Sequence, residues 1–288
     1  MVRLPSKSFG LLLAFLAALG SCGKEPATGG NAPAASIGLF TTLPVYWAES
    51  ADLAEMLAPD GEMPWPRRAI EQRGHHLVPL DTLAEDGQLD RIHALLLAQP
   101  RPLSPAENVA LDNWVRSGGQ ALVFADPALT AESRFPLGDR RRPQDTVLLS
   151  PTLARWGLVL EFAEDQAVGE AVVMDRVAGD LPVNVPGRWR ILDASEDGAR
   201  AVADCRIEVG GVVARCLIGR GAVTLIADAA LFEDADEDAL AQRQAALVRL
   251  VDSLAGAAAG TARVKAGKAV PGPGGGPTSR PVKEDEGV

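Results

Sequence analysis

The sequence has only three cysteines, three histidines and one tyrosine among 288 residues, and aromatics make up 5% of it. So few cysteines exclude the disulfide-dense scaffold of a small secreted domain. No G-x-C-x-G or G-x-S-x-G segment occurs, so the strand-to-helix elbow that carries the nucleophile of an amidotransferase or α/β-hydrolase is missing. After Leu19 no stretch is long and apolar enough to cross a bilayer, which takes ~20 residues. Positive charge is also scarce, with 28 Lys and Arg against 38 Asp and Glu and a formal charge of −10. That balance argues against a nucleic-acid partner, whose phosphates select Lys/Arg patches. The one basic cluster, Arg140-Arg141-Arg142, lies between Gly138 and Pro143 and reads as a solvated loop, with an anion site as the alternative.

What is present begins at the N-terminus. Arg3 and Lys7 precede an apolar run from Phe9 to Leu19, followed by small residues, the order of a secretory signal peptide. The run ends in Leu19-Gly20-Ser21-Cys22, which resembles the bacterial lipobox. Cleavage before Cys22 would remove residues 1–21 and leave Cys22 as the lipid-bearing residue, palmitate included; the alternative is an ordinary signal peptide with a chance cysteine. The expected location is the extracytoplasmic side of the envelope. Gly23 after the cysteine is not the aspartate associated with inner-membrane retention, which points to the outer membrane facing the periplasm in a two-membrane cell.

The other cysteines flank Gly210-Gly211 in ADCRIEVGGVVARCLIG, two β-branched runs around a pair suited to a tight hairpin turn. If Val209 pairs with Val212, Cys205 falls opposite Cys216. Opposed residues at a hydrogen-bonded pair lie ~5.5 Å apart, within disulfide reach. The spacing predicts a Cys205–Cys216 cross-strand disulfide, two half-buried thiols being the alternative.

Residues 22–36 and 257–288 are low in complexity, rich in small residues, Gly and Pro, and read as a flexible tether and a disordered tail around a domain at 37–256. Strands are expected at Ile37–Phe40, His76–Leu80, Ala94–Ala98, from Ala121 and at Val223–Ala227. Helices are expected at Trp65–Arg73, from Ser104 to Gly118, and from about Asp236 to Leu254. Ser104, Pro105 and Glu107 form a capping-box start, and Leu111, Trp114 and Val115 line one face of that helix. Strand, helix and strand in this order require a parallel sheet. Residues 130–202 read as an insertion or an embellished sheet edge, with a short helix and strand in LSPTLARWGLVL, a strand in VGEAVVMDR and a proline-rich loop in LPVNVPGRW.

RPLSPAENVALDNWVRSGGQALVFADPAL resembles the auxiliary components of uncharacterised ABC-type transport systems, a family that includes gliding-motility auxiliary proteins. SPTLARWGLVL and GRGAVTLIADAALF agree with it, so the resemblance covers most of residues 37–255. It implies an α/β fold, flavodoxin-like and similar to class I glutamine amidotransferases: a mostly parallel sheet with helices on both faces, here with an added antiparallel hairpin. It also implies ABC-type transporter subunits as partners, without amidotransferase chemistry.

ALVFADPAL and VTLIADAAL, about a hundred residues apart, each end a strand in Ala-Asp. Ligands of parallel α/β sheets bind beyond the carboxyl ends of the strands, where Thr41, Thr42, Asp126 and Asp228 all fall. These four are the candidate ligand rim, suited to a polyol, a peptide end or a cation; the alternative is that each aspartate caps its own turn. The acidic run Glu233–Asp238 reads as a helix N-terminus, with calcium as the alternative. Gly219-x-Gly221 precedes a strand and is too short for a nucleotide fingerprint. His75, His76 and His93 read as surface or strand-edge residues. No catalytic residue, metal or cofactor is assigned. The function expected is a non-enzymatic lipid-anchored binding or scaffold protein auxiliary to an ABC-type or envelope system; the alternative is a hydrolase using Asp126 and Asp228.

Overall fold

The structure, a computed structural model, describes residues 34–50, 63–164, 166–192 and 203–267, with side chains of the last helix described to Thr261. The signal segment, Cys22 and residues 268–288 of the tail lie outside the described residues.

Seven strands form the central sheet: β1 (Ser36–Thr41), β2 (His76–Pro79), β3 (Ala94–Ala98), β4 (Gln120–Phe124), β9 (Ala203–Glu208), β10 (Val213–Ile218) and β11 (Gly221–Ile226). Their spatial order is β2-β1-β3-β4-β11-β10-β9. The first five are parallel and the last two antiparallel. Counting only the parallel strands, the order is the flavodoxin-like 2-1-3-4-5. The fold is thus the expected α/β, mostly parallel sheet with an antiparallel hairpin at one edge.

Side chains alternate across the strands, so each strand serves two cores. Leu96, Leu122 and Phe124 face α1 (Trp65–Gln72) and α4 (Glu237–Gly267). Leu95, Leu97, Val123 and Leu225 face α2 (Pro105–Arg116) and α3 (Ser150–Arg155). Strands covered on both sides need continuous apolar runs, which is why ALLLA of β3 is buried throughout.

Helix α2 starts as its sequence dictates: Ser104 accepts from Glu107 N, and the Glu107 carboxylate accepts from Ser104 N. Burial pushes Glu107 up, but the Arg101 fork and the backbone donors of Ser104 and Leu83 outweigh it and bring the carboxyl to about 2. Gly221 lets the start of β11 approach the end of α2, since a Cβ there would come within 2.1 Å of the Val115 carbonyl oxygen.

Cys205 and Cys216 are paired as the register requires and form a disulfide. Their Cα atoms are 4.0 Å apart, the close spacing of a non-hydrogen-bonded pair rather than the wider one expected. Gly210 and Gly211 make the turn at φ 63° and 102°.

Two local expectations differ. LPVNVPGRW is not a loop: it supplies most of β7 (Gly179–Asn184), paired with β6 (Glu170–Asp175), and the start of β8 (Arg188–Ile191), paired with β5 (Leu158–Glu161). Pro182 is tolerated because β7 belongs to a two-stranded ribbon and needs no donor on its outer side. Helix α4 runs past Leu254 to Gly267, through residues expected in the flexible tail. The alanines of AGAAAGTA, the best helix formers, carry it, and Ala258 is still buried. His75 follows the strand-edge side of its expectation and not the surface one: beside the edge strand β2 its side chain is buried, with Nε2 2.9 Å from the Asp252 carboxylate, which Arg73 also holds.

Candidate functional site

The site suggested by the topology is the carboxyl rim of the parallel strands, above all the crevice between β1 and β3, where the winding direction reverses. The structure divides this rim into a sealed part, over β3, β4 and β11, and an open part, over β1 and β2.

The sealed part is closed by Gln99, the residue after β3. It is fully buried and has φ 44°, a left-handed conformation unusual outside glycine. Its side chain behaves like a third strand end. Oε1 accepts from Asp126 N at 2.8 Å, and Nε2 donates to the Asp126 carbonyl at 3.0 Å and to the Gln144 carbonyl at 2.8 Å. The Gln99 carbonyl in turn accepts from the Thr42 hydroxyl at 2.6 Å, and that hydroxyl accepts from Gln144 N at 3.1 Å. Thr41 donates to the Ala98 carbonyl at 2.6 Å. The crevice between β1 and β3 is thus bridged by the Thr42 hydroxyl, which joins the backbone of Gln99 and Gln144.

Asp126 and Asp228 lie deeper in the same sealed region, 0% and 1% exposed. Asp126 accepts from Ala128 N at 2.8 Å, within its own turn, and from Ala229 N at 3.1 Å, beyond the end of β11. Asp228 accepts from Ala230 N at 2.7 Å and from Asn184 N of β7 at 2.8 Å. The two carboxylates are neighbours in an acidic pocket of the core. Desolvation pushes Asp126 up to about 6, with Glu233 adding to the rise. Desolvation also raises Asp228 well above the ordinary range, and the Asp126 charge beside it raises it further. Chain passes over them: Gly187 N donates to the Ala227 carbonyl at 2.7 Å, and a Cβ on Gly187 would strike Pro127 at 2.8 Å. Each aspartate oxygen thus holds a backbone amide, and the pair joins β4, β11 and the β6–β7 ribbon.

The open part is different. Beyond β1 and β2 lies a cavity of ≈ 570 Å³ whose walls include Thr41, Thr42, Tyr46, Trp47, Asp81, Phe135 and Arg141. It is shaped by two loops, 42–50 after β1 and 128–146 after β4. They are locked together by Glu49, which accepts from the Ser133 hydroxyl at 2.7 Å and from Arg134 N at 2.8 Å. Of the expected rim residues, Thr41 and Thr42 thus line this cavity, whereas Asp126 and Asp228 are not among its walls. Sequence reasoning missed Gln99, Tyr46 and Trp47. The available signal was the position of Tyr46-Trp47 directly after the first strand, in a chain with one tyrosine and five tryptophans.

Among the described residues no group of three or more His, Cys, Asp or Glu is placed to hold a metal ion, and no helix is long and apolar enough to cross a membrane. The acidic run ends in a helix cap, Asp236 accepting from Ala239 N at 3.0 Å.

Residues 67–178 match the family described as "ABC-type uncharacterized transport system". No curated protein matches the sequence. Similar solved structures include the N-terminal domain of mmIFT52, at 12% identity and a TM-score of 0.45, over 76% of this chain and 96% of that one. An exo-beta-1,4-mannosidase of Opitutaceae bacterium strain TAV5 is similar at 14% identity and a TM-score of 0.40, over 81% of this chain. A cytoplasmic protein of Salmonella typhimurium, at 11% identity and a TM-score of 0.39, matches over 76% of this chain and 97% of its own. This chain spans 36% of the mannosidase.

Proposed function

We propose that this protein is a non-enzymatic auxiliary subunit of an ABC-type transport or envelope system, anchored by lipid at Cys22 on the extracytoplasmic side. The family match over residues 67–178 carries the transport part of this reading. The anchor rests on the Leu-Gly-Ser-Cys ending of the N-terminal apolar segment.

The non-enzymatic part of this reading is supported by the burial of Asp126 and Asp228. A general acid or base must come within hydrogen-bond reach of the proton it moves. Asp126 and Asp228 are buried, and all four of their oxygens hold backbone amides that lock neighbouring chain segments together. Their raised pKa values follow from that burial, and structural pairs perturb in the same way as catalytic ones.

The test is capture of the full-length protein from detergent-solubilised membranes of its own cells, with a Cys22→Ala strain alongside. ATPase and permease subunits of an ABC-type transporter should accompany the wild type, and labelled palmitate should be taken up by the wild type but not by Cys22→Ala. Capture free of transporter subunits would overturn the transport reading; a wild type without palmitate label, or equal label on Cys22→Ala, would overturn the anchor.

A further inference from the structure

We propose that the cavity beyond β1 and β2 is a saccharide-binding site, with Trp47 as the stacking platform and Asp81 and Arg141 as the groups that fix the sugar hydroxyls.

The platform is built in advance. Trp47 is 61% exposed although it lines a cavity, an unusual setting for so large an apolar ring. It and Tyr46 form an inclined, T-shaped pair, with ring centroids 4.5 Å apart and an interplanar angle of 64°. Tyr46 is itself held by the Arg67 guanidinium, 4.0 Å from its ring centre. The indole is thus oriented by its neighbour while remaining accessible to solvent. An aromatic face is electron-rich and attracts the polarised C–H bonds that line one side of a pyranose ring.

The polar walls select the partner. The Asp81 carboxylate makes no hydrogen bond among the described residues; Arg101 donates to its backbone carbonyl and feels its charge, which leaves the carboxylate oxygens free to accept. Arg141 lies 4.2 Å over the Phe135 ring and is forked onto Asp139 through Nε and Nη2, at 3.1 and 2.8 Å. Its Nη1 donors have no hydrogen-bond partner among the described residues. The cavity therefore offers a carboxylate acceptor, a guanidinium donor and aromatic rings among its walls. A vicinal diol satisfies both polar groups, since each hydroxyl donates and accepts. A cationic ligand fits less well, because arginine already lies over Tyr46 and Phe135. An anionic one meets Asp81 and Glu49.

The experiment is titration calorimetry of the purified full chain with maltotriose, cellotriose and triacetylchitotriose, and with tetramethylammonium and a proline-rich peptide as competing chemistries. At least one trisaccharide should bind saturably with a Kd of about 1 mM or tighter. Trp47→Ala should weaken it at least about tenfold and Asp81→Asn about fivefold, both variants keeping the wild-type melting temperature. Absence of trisaccharide binding, equal binding by Trp47→Ala, or binding of the ammonium or the peptide alone would overturn the proposal. The measurement needs neither anchor nor transporter, so its failure leaves the transport reading intact.

Discussion

The two parts of the carboxyl rim use the same sheet for opposite ends. Over β3, β4 and β11, side chains of Gln99, Asp126 and Asp228 do the work of backbone, each closing hydrogen bonds between segments distant in sequence. Over β1 and β2, polar atoms of Asp81 and Arg141 are left for solvent or ligand, beside the rings of Tyr46, Trp47 and Phe135. What separates them is satisfaction: buried polar groups must find partners inside the protein, whereas groups at an open cavity can keep capacity in reserve. A carboxylate at a strand end is therefore not a site by position alone.

The largest effect expected from breaking this contrast is at Gln99. Gln99→Ala leaves the buried Asp126 N and Asp126 carbonyl without their partner, at about 1–3 kcal/mol each, so a loss of about 3 kcal/mol should appear in chemical denaturation. Gln99→Gly, which relieves the φ of 44°, should remain destabilised; wild-type stability in the glycine variant would show that conformation, not hydrogen bonding, governs the position.

Next comes pH. A carboxyl with a raised folded-state pKa holds its proton more tightly folded than unfolded, so its contribution is full below about pH 4 and is lost as pH rises through the folded value. For Asp126, raised to about 6, that amounts to about 3 kcal/mol; Asp228, raised further, extends the decline to higher pH. Glu107, brought down to about 2, works in the opposite direction, its contribution being lost as pH falls below about 4. Stability should therefore peak near pH 4–5 and fall toward pH 8. Asp228→Asn should flatten the fall; a mutant curve parallel to wild type would show that the pair does not cause it.

Thr42 belongs to both parts, sealing the crevice through Gln99 and Gln144 and lining the open cavity. Thr42→Val keeps the shape and removes one donor and one acceptor, and should cost about 1–2 kcal/mol in thermal or chemical unfolding. A variant as stable as wild type would mean that the closure rests on Gln99 alone.

Much of the architecture could be read from local chemistry. The capping box at Ser104, the all-apolar β3 and the register of Cys205 against Cys216 each depend on residues close in sequence or on strict alternation. Asp126 and Asp228 were legible as turn caps, through Ala128 and Ala230, but not as clips, because Ala229 and Asn184 reach them only through the tertiary fold. Gln99 gave no signal at all: a glutamine before a proline says nothing of a partner 45 residues away. LPVNVPGRW misled because proline marks loops in general, while an edge strand needs no donor on its outer side.

The smallest effect on stability is expected where the effect on binding is largest. Trp47 is mostly exposed, and truncating it removes little buried area, so Trp47→Ala should change unfolding free energy by no more than about 0.5 kcal/mol. Its nearest ring, Tyr46, keeps Arg67 on its face, so the loop should hold its shape. If the variant instead loses stability on the scale expected for Gln99→Ala, the indole is part of the core of the loop, and the open half of the rim is packed for folding as the sealed half is. If it unfolds like wild type, the chain carries a large aromatic that folding does not require, in the one part of the rim where Asp81 and Arg141 also keep unused polar atoms.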